Sequence, residues 1–252
     1  MKIGFVLSGG GARGFAHLGA IKALEEEGIR PDCISGTSAG ALVGGLLSAG
    51  YSPDYIFDLI LAKGIRNYLK LAFNRFGLFS FSKVNELLHE YIPHNQFEKL
   101  QIPLTVCATN LSDGKVDYFS SGELITPILA SCCLPGIFEP IQMGNKTYID
   151  GGVLNNLPVE PLQGKCDFLV GINVTPVGSE LPLASAKDIL MKSFYLAVSK
   201  QSNDKLLQCD VAIEPTEIIQ YDGLSLAKAK EIFELGYRYG QAAIPSFSSM
   251  YK

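Results

Sequence analysis

Two short apolar runs open this chain. Each ends in a glycine-rich turn, each turn leads into a helical pattern, and few folds accommodate that beginning. The first run, Lys2–Leu7, stops at Gly9-Gly10-Gly11-Ala12-Arg13-Gly14. The second, Asp32–Ser35, enters Gly36-Thr37-Ser38-Ala39-Gly40. Short apolar runs bounded by turn residues read as buried strands. After the first turn Phe15, Leu18, Ile21 and Leu24 recur at helical spacing, which predicts a helix over Arg13–Glu27 with Gly28 at its C′ position. After the second, Ser38–Ala49 reads as a small-residue helix whose Gly44 and Gly45 allow close packing. Strand, turn and helix, twice in succession, begin an α/β fold with a largely parallel sheet and helices on both faces.

The remaining pattern continues the alternation. Ser52-Pro53 suits the N-cap and first position of a helix running to Lys63. Ser82 is expected to cap a helix ending at Tyr91. Leu104–Asn110 and Lys115–Ser120 form a predicted hairpin around Asp113-Gly114. A helix over 123–131 precedes Leu134-Pro135, and strand Lys146–Ile149 delivers Asp150. A buried strand is expected over Phe168–Val174, and a last strand, Asp210–Ile213, lies between helices 184–207 and 225–243. Repeats, low-complexity tracts and linkers are missing from the sequence. With 252 residues, 47% of them hydrophobic, the expectation is one domain over 1–252.

Composition narrows the function classes. A net charge of −4 gives no footing for nucleic-acid binding. The charge is uneven: residues 1–86 hold nine Lys/Arg against seven Asp/Glu, and the rest is acidic. The six cysteines, Cys33, Cys107, Cys132, Cys133, Cys166 and Cys209, match neither a C-x-x-C nor a zinc spacing, and read as reduced, mostly buried thiols. The aspartates are scattered and no metal site is expected. The apolar run after Lys2 is too short for a signal peptide, and Ala39–Tyr51 is glycine-rich and too short to span a bilayer. The expected setting is therefore cytoplasmic. The sequence leaves the oligomeric state open.

The pentapeptide Gly36-Thr37-Ser38-Ala39-Gly40 is a G-x-S-x-G pattern. Alone it is a weak signal, equally readable as a helix start capped by serine. A strand running in and a helix running out are the context a nucleophile elbow requires. Serine at such a helix N-terminus also gains from the dipole, which favours a developing alkoxide. The loop Gly9–Gly14 fits the G-x-G-x-x-G of a dinucleotide site, but the second strand ends in Ser35-Gly36-Thr37-Ser38 and not in the acidic residue such a site needs. The other reading is an oxyanion hole. Its amides, those of Gly10, Gly11 and Ala12 foremost, would turn toward a carbonyl oxygen gaining charge, with Arg13 adding positive charge beside it.

A Ser-His-Asp triad in α/β-hydrolase order needs a histidine after the acid. Only His89 and His94 follow Ser38, and the acids before them are confined to one short stretch. His17, on the first helix, reads as a packing or loop-bracing residue. Asp150, ending a strand and followed by Gly151 and Gly152, is the better partner. Burial would raise its pKa and strengthen a Ser–Asp hydrogen bond.

Four blocks together carry a resemblance. They are Gly9-Gly10-Gly11-Ala12-Arg13-Gly14, Gly36-Thr37-Ser38-Ala39-Gly40, Ala130-Ser131-Cys132-Cys133-Leu134-Pro135 and Asp150-Gly151-Gly152. In order and spacing the chain resembles the patatin-like phospholipase family. The resemblance implies a three-layer α/β/α sandwich shared with acyltransferases, and hydrolysis of lipid acyl esters without metal or other cofactor. It implies Ser38 as nucleophile, Asp150 as its sole base, and the glycine loop as oxyanion hole. It further implies a bare catalytic domain with no added membrane segment or nucleotide-sensing domain. The same fold and dyad would serve a transacylase or thioesterase, and a lipid- or partner-binding regulator is the non-enzymatic alternative.

One stretch stands apart. Between Asp58 and Glu86 there is no acidic residue, and Lys63, Arg66, Lys70, Arg75 and Lys83 interleave with Tyr68, Phe73, Phe76, Phe79 and Phe81. Residues 64–83 are expected to be a lid hinged at Gly64 and Gly77, or a peripheral contact with an anionic membrane surface. The alternative is an ordinary helical excursion whose aromatics pack inward.

Overall fold

A computed structural model of the protein describes residues 1–63, 70–71, 79–176, 178 and 186–251. The expected lid or membrane contact at 64–83 falls largely outside these residues.

Ten strands occur among the described residues: β1 (Ile3–Leu7), β2 (Cys33–Thr37), β3 (Lys70–Leu71), β4 (Phe79–Ser80), β5 (Leu104–Asn110), β6 (Lys115–Phe119), β7 (Ile141–Met143), β8 (Lys146–Asp150), β9 (Phe168–Ile172) and β10 (Val211–Ile213). The helices are α1 (Phe15–Glu26), α2 (Ala39–Ser48), α3 (Pro53–Lys63), α4 (Ser82–Tyr91), α5 (Ile125–Ser131), α6 (Ala186–Leu206) and α7 (Ala229–Ala243). Five strands run parallel in the order β10-β9-β1-β2-β5, and the antiparallel pairs β5–β6, β5–β8 and β7–β8 complete the main sheet. The expected α/β architecture holds.

Alternation along β1 sorts the layers. Phe5 and Leu7 enter the larger core with α1, α2, α3, α4, α5 and α7. Val6 points the other way, into a smaller core with Leu157, Val159, Leu162, Leu169 and Leu206. Helices thus cover one face, while α6 and the 157–162 segment cover the other, giving three layers.

Strand β5 fixes the position of the site. Its first residues pair with β2, ending at Thr37 opposite Cys107. From Ala108 onward β8 pairs with it instead, with Asp150 opposite Ala108. Strand β6 pairs with Val106–Asn110 throughout, so β2 and β8 must share the edge opposite β6. One ladder edge therefore brings the end of β2 and the end of β8 together.

Element bounds differ from expectation in informative ways. The first helix begins at Phe15, because Gly11–Gly14 forms a separate 3-10 turn. Strand β2 runs on to Thr37, held there by its pairing with β5. Ser82 is the first helical residue and not the cap; Phe81 takes the cap position without a side-chain hydrogen bond. Ser52, in contrast, accepts from the Tyr55 amide at 3.3 Å. The short β7 carries no pattern that sequence reading found.

Candidate active site

Ser38 lies between β2 and α2 with φ 51°, a left-handed conformation that non-glycine residues seldom adopt. Its neighbours explain how the turn closes. A Cβ on Gly40 would stand 2.3 Å from the Leu7 carbonyl oxygen, and one on Gly36 would stand 2.5 Å from that of Gly40. Only glycine lets the elbow press against both the end of β1 and its own helix. The Ser38 amide donates to Ser131 Oγ at 2.7 Å, and Ser131 Oγ donates to the Cys107 carbonyl at 2.6 Å. Thr37 Oγ1 donates to the Asn155 carbonyl at 2.8 Å. The elbow is thus tied to β5 and to the segment after β8.

Ser38 Oγ donates to Asp150 Oδ2 at 2.7 Å. The other carboxylate oxygen accepts the Gly152 amide at 2.7 Å, across the 3-10 turn Gly151–Val153. Gly151 has no room for a side chain, since its Cβ would meet the Cys107 carbonyl oxygen at 2.3 Å. Asp150 is 4% exposed. Desolvation pushes its pKa from 3.8 up to about 6, and the hydrogen bonds from Ser38 and Gly152 only partly offset that.

The loop after β1 closes the other side. The Gly9 amide donates to the Asn156 carbonyl at 3.1 Å, and a Cβ on Gly9 would lie 2.5 Å from Asn156 Oδ1 and 3.2 Å from Ser38 Cβ. Buried Asn156 is itself held by Thr175 Oγ1 and Ser202 Oγ at 2.8 and 2.9 Å. The Ala12 amide donates to the Gly223 carbonyl at 2.7 Å and so is not open to a ligand, contrary to expectation. Among the described residues neither the Gly10 nor the Gly11 amide has an acceptor. Gly14 abuts the elbow through Ala39, whose Cβ lies 2.8 Å from where a Gly14 Cβ would be.

Arg13 also departs from expectation. Its buried guanidinium donates to the carbonyls of Tyr221 (3.0 Å) and Ile219 (3.3 Å) and lies 5.1 Å from the Tyr195 ring centroid. It ties the glycine loop to the 219–221 segment and does not line the cavity onto which Ser38 opens. His17 braces the loop as expected. Burial lowers its pKa to about 4, so it is neutral near pH 7, and its Nε2–H donates to the Ser8 carbonyl at 2.8 Å. His89 and His94 are exposed on and after α4 and line no part of the site.

Gly9–Ala12, Ser38 and Asp150 open on a cavity of about 200 Å³. Its walls are apolar: Phe15, Leu18, Leu42, Val43, Ile60, Phe138 and Val198 among others. Phe81, at the close of the aromatic stretch found in the sequence, also lines it and stacks on Phe138 with ring centroids 4.2 Å apart. Phe194 and Tyr195 of α6, with Gly223, Leu224 and Leu226, were not recognisable as site residues from sequence. They come from helices and loops far along the chain that carry no motif. Cys132, next to the Ser131 anchor, lines the cavity too. Among the described residues no group of His, Cys, Asp or Glu could hold a metal ion, and no helix is long and apolar enough to cross a membrane.

The chain is a three-layer α/β/α protein with an apolar cavity at the carboxyl ends of its parallel strands. A family model described as patatin-like phospholipase matches residues 5–162, and the chain belongs to that family. It is 32% identical over 182 residues to an NTE family protein of Mycobacterium tuberculosis, covering 71% of this chain and 50% of that protein. It is 30% identical over 271 residues to lysophospholipase NTE1 of Kluyveromyces lactis, covering 94% of this chain and 19% of that protein. The chain therefore spans half the length, or less, of these relatives. Its fold is similar to that of VipD from Legionella pneumophila, with TM-score 0.60 at 16% identity over 97% of this chain and 67% of that one.

Proposed function

We propose that the protein is a serine acyl hydrolase that cleaves carboxylic esters of lipids, of phospholipase A or lysophospholipase type. The observation that carries this reading is the 2.7 Å hydrogen bond from Ser38 Oγ to a buried Asp150, at the polar end of an apolar cavity. Ser38 Oγ attacks the ester carbonyl carbon while Asp150 accepts its proton. The carbonyl oxygen becomes an oxyanion and takes hydrogen bonds from the Gly10 and Gly11 amides, which are left open for it. Collapse expels the alcohol, protonated by Asp150, and leaves the acyl group on Ser38. Water then attacks the acyl carbon as Asp150 takes its proton; the acyl–Oγ bond breaks, and Asp150 returns that proton to Ser38 Oγ as the acid leaves.

Two features support a lipid substrate. The cavity walls are aliphatic and aromatic, which suits an acyl chain. The relative from Kluyveromyces lactis is named a lysophospholipase. A carboxylate with pKa about 6 is also a better base near neutral pH than an ordinary one. The same chemistry would accept a thioester or pass the acyl group to an acceptor other than water. Turnover of lysophosphatidylcholine, diacyl phosphatidylcholine, a short-chain ester and an acyl-coenzyme A separates these. Lipid-ester hydrolysis that vanishes in Ser38→Ala is the expected result. Turnover of none of the four by folded wild type, or turnover undiminished in Ser38→Ala, overturns the proposal.

A further inference from the structure

A second chemical feature lies at the opposite end of the sheet from Ser38 and does not depend on the function proposed above. Cys33 is the first residue of β2, and Cys166 lies in the turn before β9. Their Sγ atoms are 2.6 Å apart, although 133 residues separate them in sequence. Strand β1 runs between β2 and β9, so the two side chains meet across it. They meet at Gly4, whose register partners are Cys33 and Leu169. A Cβ on Gly4 would stand 2.9 Å from Cys166 Sγ, so the missing side chain makes the crossing possible.

Unbonded heavy atoms settle at roughly 3.5–4.0 Å, and sulfur is larger than carbon. A disulfide bond is about 2.05 Å long. At 2.6 Å the pair is nearer to bonding distance than to ordinary contact, and closing it needs about half an ångström. Cys33 belongs to the smaller core with Val6, Leu157, Leu162 and Leu169, and Cys166 packs against that core. Cys209 belongs to the same cluster, yet no group of three ligands there could hold a metal. The two thiols also differ in access. Cys33 is buried, and desolvation pushes its pKa up, whereas Cys166 is partly exposed.

We propose that Cys33 and Cys166 form a reversible dithiol–disulfide pair, closed by a peroxide. Hydrogen peroxide oxidises the accessible Cys166 thiol to a sulfenic acid and releases one water. The Cys33 sulfur then attacks the Cys166 sulfur. An S–S bond forms, the S–O bond breaks, and the departing hydroxide leaves as water with the Cys33 proton. Each sulfur loses one electron, and the peroxide gains two. The bond pins β2 to the approach of β9 across β1 and closes a long loop of chain, which constrains the unfolded state.

The test treats the full chain with hydrogen peroxide, alkylates free thiols with iodoacetamide and maps peptides without reduction. A peptide pair joined through Cys33 and Cys166 is expected, two hydrogens lighter than its separate halves. Dithiothreitol should abolish it, and the thermal midpoint should fall by roughly 5–15 °C on reduction. Cys166→Ser and Cys33→Ser should each lose the cross-link and the midpoint change. Both cysteines recovered alkylated after methionine oxidation shows that peroxide acted, Cys166 recovered as sulfinic acid, or a Cys166–Cys209 link would each overturn the proposal.

Discussion

Ser38 Oγ and Asp150 Oδ2 are 2.7 Å apart although 112 residues separate them in sequence. The shared edge of β5 accounts for this. Thr37 pairs with Cys107 and Asp150 with Ala108, so consecutive residues of one strand set the serine and the carboxylate side by side. Ser131 reinforces the arrangement by joining the Ser38 amide to the Cys107 carbonyl. The pairing is a matter of backbone register, and the chemistry proposed for it gives specific expectations.

If Asp150 is the base, only its ionised form supports attack by Ser38. Its pKa is held near 6 by burial. The value of kcat/KM should therefore rise about tenfold per pH unit below pH 6 and level off above it. A pH profile on a neutral ester checks this. A limb centred near pH 4, the ordinary aspartate range, would contradict it.

The same burial has a stability consequence of opposite sign. Asp150 has a raised folded pKa, so the native state holds the proton more tightly than the unfolded chain. Stability contributed by the protonated form is present below about pH 4 and is lost as pH rises through about 6. Raising the pKa from 3.8 to about 6 corresponds to a cost of about 3 kcal/mol at neutral pH. Asp150→Asn keeps an acceptor for the Gly152 amide and a polar partner for Ser38. It should abolish activity yet be more stable than wild type at pH 8, with the gain vanishing at pH 4. Urea melts at the two pH values test this.

Ser131→Ala would leave the Ser38 amide and the Cys107 carbonyl without their shared partner. The expected cost is about 1–3 kcal/mol of stability. Because the elbow also loses its anchor, kcat should fall by roughly 10–100-fold with KM little changed. Steady-state kinetics referred to the folded fraction from a denaturant melt distinguishes this from plain destabilisation: kcat per folded molecule falls if the anchor positions Ser38, and is unchanged if only the amount of folded enzyme drops.

Gly40→Ala places a methyl group 2.3 Å from the Leu7 carbonyl oxygen, where backbone faces backbone and no side chain can swing away. Helix α2 would have to withdraw from β1, taking Ser38 with it. A loss of roughly 1–3 kcal/mol or more is expected, with activity falling further than stability. A thermal midpoint within about 2 °C of wild type would show that the contact is less rigid than its geometry implies.

The parts of this fold legible in the sequence are those where local chemistry and tertiary demand agree. The runs at β1 and β2 are apolar because both faces of the sheet are covered, and their glycine turns are needed at the same edge. Gly28 and Gly114 adopt the positive φ that their turn positions suggested. The rest depended on partners distant in sequence. Ala12 and Arg13 sit in the glycine motif, but the motif does not reveal that Gly223, Ile219 and Tyr221 occupy their donors. Nor does a periodicity argument find Phe194 and Tyr195, which face the cavity from a helix with little amphipathic contrast. Strand β2 outran its expected end because β5 continues to pair with it through Thr37.

The proposed chemistry stands on Ser38 as the nucleophile. The most direct measurement is reaction of the folded protein with a fluorophosphonate probe, followed by peptide mapping of the adduct. One phosphonyl group on Ser38 is expected, with labelling lost in Ser38→Ala and slowed in Asp150→Asn. No adduct on folded wild type, or an adduct elsewhere that persists undiminished in Ser38→Ala, would contradict the account.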